Sequence, residues 1–214
     1  MTKIFSTSGP HIYSKETIET NMWNVVIALI PAIIIGTYYF GTYVLYLVLS
    51  SALSAVIFEK PFVKNRSILG DGSAFLAGTL LGLTLSPTVP WWIPILGGFI
   101  TVIIGKHLFG GLGSNIFNPA LIARAILLLS YPSLMTKWVS PIDGISSATP
   151  LEIGAESYGY IQLIIGNIPG SIGETSVIAL LIGGIYLYIR DYIDLKIPLS
   201  FIIGAGITSY IFLG

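Results

Sequence analysis

The sequence predicts an all-α protein embedded in a membrane, with about seven transmembrane or half-membrane helices. Composition and the lengths of its apolar runs both point there. Of the 214 residues, 54% are hydrophobic and only 9% are charged, whereas soluble domains carry about 25% charged side chains. Ten Lys plus Arg balance ten Asp plus Glu, so nothing favours a nucleic-acid partner held by phosphate neutralisation. With no cysteine in the chain, disulfides, thiolate metal sites and cysteine nucleophiles are excluded, and any redox role requires an acquired cofactor. Lys3, Lys15, Glu16 and Glu19 precede the first apolar run without the pattern of a cleaved signal peptide.

A hydrocarbon core of about 30 Å calls for roughly 20 helical residues, fewer where a helix is broken and shielded by protein. The first span is expected from about Asn21 to Phe40, interrupted at Pro31, and the second from about Thr42 to Phe58, with a tight hairpin at Gly41. The third, Gly72 to Leu85, and the fifth, Asn118 to Tyr131, are short; the fourth, Trp91 to Leu108, lies between them. A polar stretch, 132–174, precedes a sixth span to Tyr188 and a seventh from Ile197 to Leu213. Cytoplasmic loops collect Lys and Arg. An internal N-terminus puts Lys3, Lys15, Lys60, Lys64, Arg66, Lys106, Arg190 and Lys196 on that side and only Lys137 outside.

Val26-Ile27-Ala28-Leu29-Ile30 near the start of the first span resembles Val177-Ile178-Ala179-Leu180-Leu181 in the sixth. Five intervening spans would invert the second unit across the membrane, as in inverted-repeat transporters. The expected organisation is a cytoplasmic segment 1–20, a five-helix repeat 21–131, an external loop 132–174, and the first two helices of an incomplete second repeat, 175–214.

Gly70-Asp71-Gly72-Ser73, Gly113-Ser114-Asn115-Ile116-Phe117-Asn118-Pro119 and Gly170-Ser171-Ile172-Gly173-Glu174-Thr175-Ser176 read as helix starts. Asn118 before Pro119 is an N-cap with proline at the first helical position, and Ser73 or Thr175 could cap the others. These starts are either anion-binding helix N-termini at membrane depth or ordinary interfacial ones. Arg124 falls inside the fifth span, where a charge is costly unless paired or wet. Its partner is a phosphate, a flavin edge or a carboxylate such as Asp71; otherwise it forms a buried ion pair or snorkels. Glu174 is expected in a first helical turn, which the helix dipole favours. His11 and His107 are expected near the surface and make no metal site.

These runs, and above all Gly105-Lys106-His107-Leu108-Phe109-Gly110-Gly111-Leu112-Gly113-Ser114-Asn115-Ile116-Phe117-Asn118-Pro119-Ala120, resemble RnfD, a membrane component of the Rnf electron-transport complex. Its close relative is NqrB of the sodium-pumping NADH:quinone reductase. Asp143-Gly144-Ile145-Ser146-Ser147-Ala148-Thr149-Pro150-Leu151 resembles the family's flavin-attachment stretch. The resemblance implies covalent FMN on Thr149 through a phosphoester, with Ser147 replacing the usual glycine. A threonine hydroxyl is a weak nucleophile, so a separate flavin transferase is implied, with Asp143, Ser146, Ser147 and Ala148 around the site.

The implied protein is one electron relay in a ferredoxin:NAD oxidoreductase that moves Na+ or H+ across a bacterial or archaeal plasma membrane, working with other Rnf subunits and lipid. The flavin loop would be external. Asn118 and Arg124 are candidates for cofactor binding, Asp71 and Glu174 for an ion path, and the short third and fifth helices could frame riboflavin. Family members continue for several more helices, so the chain is expected to cover only the earlier part of the pattern. The alternatives are an NqrB-like component of the quinone reductase and a flavin-free channel, transporter or scaffold built from broken helices.

Overall fold

A computed structural model describes residues 17–63, 71–150 and 158–213. The described residues contain no β-strand, only an isolated antiparallel bridge between Val139 and Ser146. Lys3, Lys15, Lys64, Arg66 and His11 lie outside the described residues.

Helix α1, Ile18–Phe40, opens on Thr17, whose side chain accepts from the Thr20 amide at 3.2 Å. It runs through Pro31 for 23 residues, contrary to the expected interruption. Proline removes a single amide donor, and neighbouring helices hold the rest of the helix in place. Gly41, at φ +86°, turns the chain back into α2, Tyr43–Glu59, the tight hairpin read from the sequence. The short helix α3, Ser73–Thr84, is followed by α4, Trp92–Ile103, and α5, Pro119–Ser130. Within the segment 132–174, expected to be a plain polar loop, lie a single turn α6, Pro132–Met135, and α7, Tyr160–Ile165. Helices α8, Val177–Ile189, and α9, Lys196–Leu213, complete the order. Ile18–Phe40, Tyr43–Phe62 and Trp92–Phe109 are long and apolar enough to cross a membrane, the last two by continuing into 3-10 turns.

Helices α2, α3 and α4 pack so closely that some positions admit only hydrogen. A Cβ on Gly78 would stand 2.6 Å from the Ser51 carbonyl oxygen, and one on Gly98 only 2.0 Å from Ser54 Oγ. Where surrounding lipid is as apolar as leucine, such small-residue contacts replace hydrophobic burial as the reason helices associate. Ser51 Oγ also donates to the Gly78 carbonyl at 2.8 Å. The core that results is fully buried at Leu47, Leu81, Ile93 and Leu127. Buried Asn24 ties α1 to α8, donating to the Tyr192 hydroxyl at 3.0 Å and accepting from that of Tyr186 at 2.6 Å.

The bundle has two chemically distinct ends. At one, Tyr43 and Tyr46 donate to the carbonyls of Val89 and Trp91, and Trp92 meets Tyr131 edge-on at 5.1 Å. Amphipathic rings gathered in this way mark a membrane–water interface. At the other, the end of α2, the start of α3 and the turn after α4 bring Glu59, Asp71, Lys106 and His107 together.

Replacing Gly98 with Val should cost roughly 1–3 kcal/mol by overpacking, read as a lower melting temperature in detergent. Gly184→Val, where a Cβ meets nothing within 4 Å, should leave melting nearly unchanged.

Candidate cofactor cavity and buried charge cluster

At the aromatic end, the segment 170–175 folds back against α3. Gly173 and Ile172 donate their amides to the carbonyls of Leu83 and Leu85, at 2.8 and 3.2 Å. A helix that stops after twelve residues leaves its last carbonyls without helical partners, and these two bonds supply them. The approach requires small residues, since a Cβ on Gly173 would lie 2.8 Å from the Leu83 side chain and one on Gly36 2.7 Å from the Ile172 carbonyl oxygen.

This docking carries Ser171 and Glu174 to the side of α5. Ala123 and Leu127 are wholly buried, while Arg124, between them, turns its guanidinium away from the core. Arg124 Nη1 donates to Glu174 Oε1 at 2.9 Å and Nη2 to Ser171 Oγ at 3.4 Å, while Ser171 Oγ donates to Glu174 Oε2 at 2.8 Å. The Arg124 and Glu174 side chains remain 29% and 55% exposed. The expected first-turn place for Glu174 is corrected, because Ser176 and not Thr175 caps α8, accepting from the Ala179 amide at 3.3 Å. Glu174 therefore sits in the turn before the helix. Asp71 is also corrected as the carboxylate partner of Arg124.

The stretch 136–149 closes the other side. Ser86 and Thr88 hydroxyls donate to the Lys137 carbonyl, and Ser147 donates its amide to Trp138 at 3.2 Å. Ile142, at φ +69°, donates its amide to Tyr39 at the end of α1, at 2.9 Å. Asp143 and Ser146 are exposed on this hairpin, while Ser147, Ala148 and Thr149 are half-buried. Among the described residues, the non-glycine positions with positive φ are Ile142 and Asp191. Ser147 therefore holds a backbone conformation that needs no glycine. A cavity of about 310 Å³ lies between these parts, lined by Arg124, Trp138, Thr149, Leu163, Ser171 and Glu174 among others. Arg124 and Glu174, fifty residues apart in the sequence, thus meet in one ion pair, and Thr149 shares their cavity.

Asn118 does not join them. Its side chain accepts from Ala120 and Leu121 amides at 3.0 and 3.4 Å, the expected N-cap of α5, roughly 9 Å before Arg124 at 1.5 Å rise per residue. It lines a second cavity of about 140 Å³ with Met22, Ser73, Leu80, Lys106 and Asn115. Beside it, the α3 start is held by Asp71, which accepts from the Ser73 amide at 3.0 Å and from the Ser73 hydroxyl. Gly72, at φ +78°, occupies the N-cap position that the sequence assigned to Ser73.

Lys106 donates to Glu59 and to Ser73 Oγ, and both charged side chains are less than one-tenth exposed. Lys106 lies in the turn after α4, with its ammonium buried against Glu59 and not in solvent. His107, expected near the surface, stacks on Phe62 at 4.5 Å. Its buried Nε2 lies 3.4 Å from Glu59 Oε1, within ion-pair range but outside hydrogen-bond geometry. Sequence reading missed this cluster, whose only linear signal is a charge at the close of each apolar run: Glu59 after Phe58 and Lys106 after Gly105. Among the described residues, no group of three or more His, Asp or Glu side chains is placed to hold a metal.

Residues 5–214 match the model of the NQR2, RnfD, RnfE family. The chain is 40% identical to the D component of the proton-translocating ferredoxin:NAD(+) oxidoreductase complex of Clostridium ljungdahlii, across 97% of this chain and 69% of that one. It is 38% identical to the D component of the Na(+)-translocating ferredoxin:NAD(+) oxidoreductase complex of Acetobacterium woodii (95% and 68%). Against the D component of the ion-translocating oxidoreductase complex of Rhodobacter capsulatus, identity is 36% (94% and 67%).

Lys106→Met, which strands Glu59 in the interior, should cost roughly 3–5 kcal/mol by thermal melting in detergent. Adding Glu59→Leu should restore most of the loss. Equal melting of the two variants would contradict the paired burial.

Proposed function

The chain belongs to the NQR2, RnfD, RnfE family, and from that premise we propose that it is a membrane subunit of an ion-translocating ferredoxin:NAD oxidoreductase of the Rnf type, carrying covalent FMN on Thr149. The observation that carries the reading is the shared cavity: Thr149 and Arg124 line the same space of about 310 Å³.

The residues fit a flavin phosphate. A phosphodiester on the Thr149 hydroxyl is an anion, and a guanidinium offers five N–H donors in a planar fork. Trp138 and Leu163 supply apolar wall. Pro150 biases Thr149 toward an extended backbone, and the exposed hairpin bearing Asp143 and Ser146 leaves the stretch open to a flavin transferase, with Ser147 and Ala148 leading into the attachment site. Bound FMN would supply reversible one- and two-electron chemistry; this chain's residues orient it, neutralise its phosphate and limit water around it.

On the same reading the N-terminus is cytoplasmic and the Thr149 end external. Helices α1 to α5 would form a first repeat, with α8 and α9 opening a second. The opposite end, where Asp71 and Asn118 lie, is the candidate region for an ion path or for riboflavin. Asn118 borders a cavity of about 140 Å³ with Ser73 and Lys106, which has room for a few waters, and an apolar one of about 410 Å³ with Phe117, Leu121 and Ile122. Relatives named for protons and for sodium match this chain at 40% and 38% identity, so family membership does not set the coupling ion.

The test is intact mass and in-gel flavin fluorescence of the denatured protein from its native host, beside Thr149→Ala. Added FMN mass and a fluorescent band that both vanish in the variant are the expected result. An unmodified mass in both proteins would remove the covalent flavin and favour a flavin-free channel or scaffold.

A further inference from the structure

We propose that Glu174 is the displaceable counter-ion of Arg124, occupying the guanidinium until a phosphate group enters the cavity and takes its place. The inference rests on the flavin reading above and adds a role for Glu174 that differs from an ion-path residue. A lone guanidinium facing an apolar wall is costly, and Glu174 neutralises it through one 2.9 Å bond. Three features make that neutralisation reversible.

The pair is partly wet, with Glu174 more than half exposed, and exposed pairs are weak. Glu174 lies in a turn ahead of the Ser176 cap, outside the hydrogen-bonded body of α8, so its side chain can swing toward water without unwinding the helix. Ser171, only 2% exposed, bridges the two groups through its hydroxyl and stays in place when the carboxylate leaves. Its Oγ–H, released from Glu174 Oε2, then becomes a donor for the incoming phosphate beside Arg124. A carboxylate and a phosphate in the same small space repel each other, so the two are alternative occupants of Arg124.

The experiment uses the full chain produced without a flavin transferase, in lipid nanodiscs, with FMN, riboflavin and inorganic phosphate as probes. Binding is read by quenching of flavin fluorescence. Glu174→Gln should bind FMN about five-fold more tightly than the parent, the gain expected when an exposed competing pair is removed. Riboflavin, which lacks the phosphate, should bind both proteins equally, and inorganic phosphate should compete with FMN.

Arg124→Gln should abolish the gain. Glu174→Ala, which removes the carboxylate and leaves the Ser171 hydroxyl free to donate to the phosphate, should move FMN affinity in the same direction and serves if Glu174→Gln misfolds. Equal or weaker FMN binding in Glu174→Gln, no measurable binding in any variant, or an equal gain for riboflavin would each overturn the exchange. The two ideas fail separately: a flavinylated native chain with no gain in Glu174→Gln sinks only the exchange. An unmodified native chain whose Glu174→Gln form selects FMN over riboflavin sinks only the covalent attachment.

Discussion

The amides of Ile172 and Gly173 on the carbonyls of Leu85 and Leu83 are the contact on which the candidate site depends. A helix whose end is buried in protein, as Leu83 and Leu85 are here, needs partners for its final carbonyls. Because α3 is only twelve residues long, those partners must come from another part of the chain. The segment that supplies them holds Ser171 and Glu174 against Arg124. It requires near-absence of side chains at Gly36 and Gly173, so the short helix, the glycines and the ion pair form one arrangement.

The two charged groups of the bundle differ in what burial demands of them. Lys106 and Glu59 are almost fully removed from solvent, where an unpaired charge is expensive and pairing is obligatory. They sit with Ser73, Asp71 and His107 where α2, α3 and α4 meet, and each side chain constrains the next. Arg124 and Glu174 are partly hydrated, so their pairing contributes little to stability and leaves the guanidinium open to exchange. The first cluster fixes the helix ends; the second borders the cavity that holds Thr149.

Much of the fold was legible in the sequence, because apolar runs in lipid are delimited by polarity and turn chemistry. Asn118-Pro119 marked the start of α5 correctly, and Gly41 marked the first hairpin. Continuity through Pro31 was not legible, since it depends on neighbours that shield the helix. At the site, Arg124 stood out as a charge within an apolar run, but its partner did not. The pairing with Glu174 arises from the fold-back of residues 170–175 onto α3, a contact with no local signature. The burial of Lys106 was not legible for a related reason: a lysine closing an apolar run reads as a solvated charge until Glu59, 47 positions earlier, is brought beside it.

The most direct measurement of the central claim, that the Thr149 stretch and the 170–175 segment share one cavity beside α5, is cysteine cross-linking in native membranes. The chain has no cysteine of its own, so Thr149→Cys can be combined with Glu174→Cys, whose side chain is 55% exposed in the same cavity. A short bifunctional maleimide should join that pair efficiently, while Thr149→Cys with Ser114→Cys, exposed at the opposite end of the bundle, should stay open. Equal cross-linking of the two pairs, or none in the first, would contradict the arrangement.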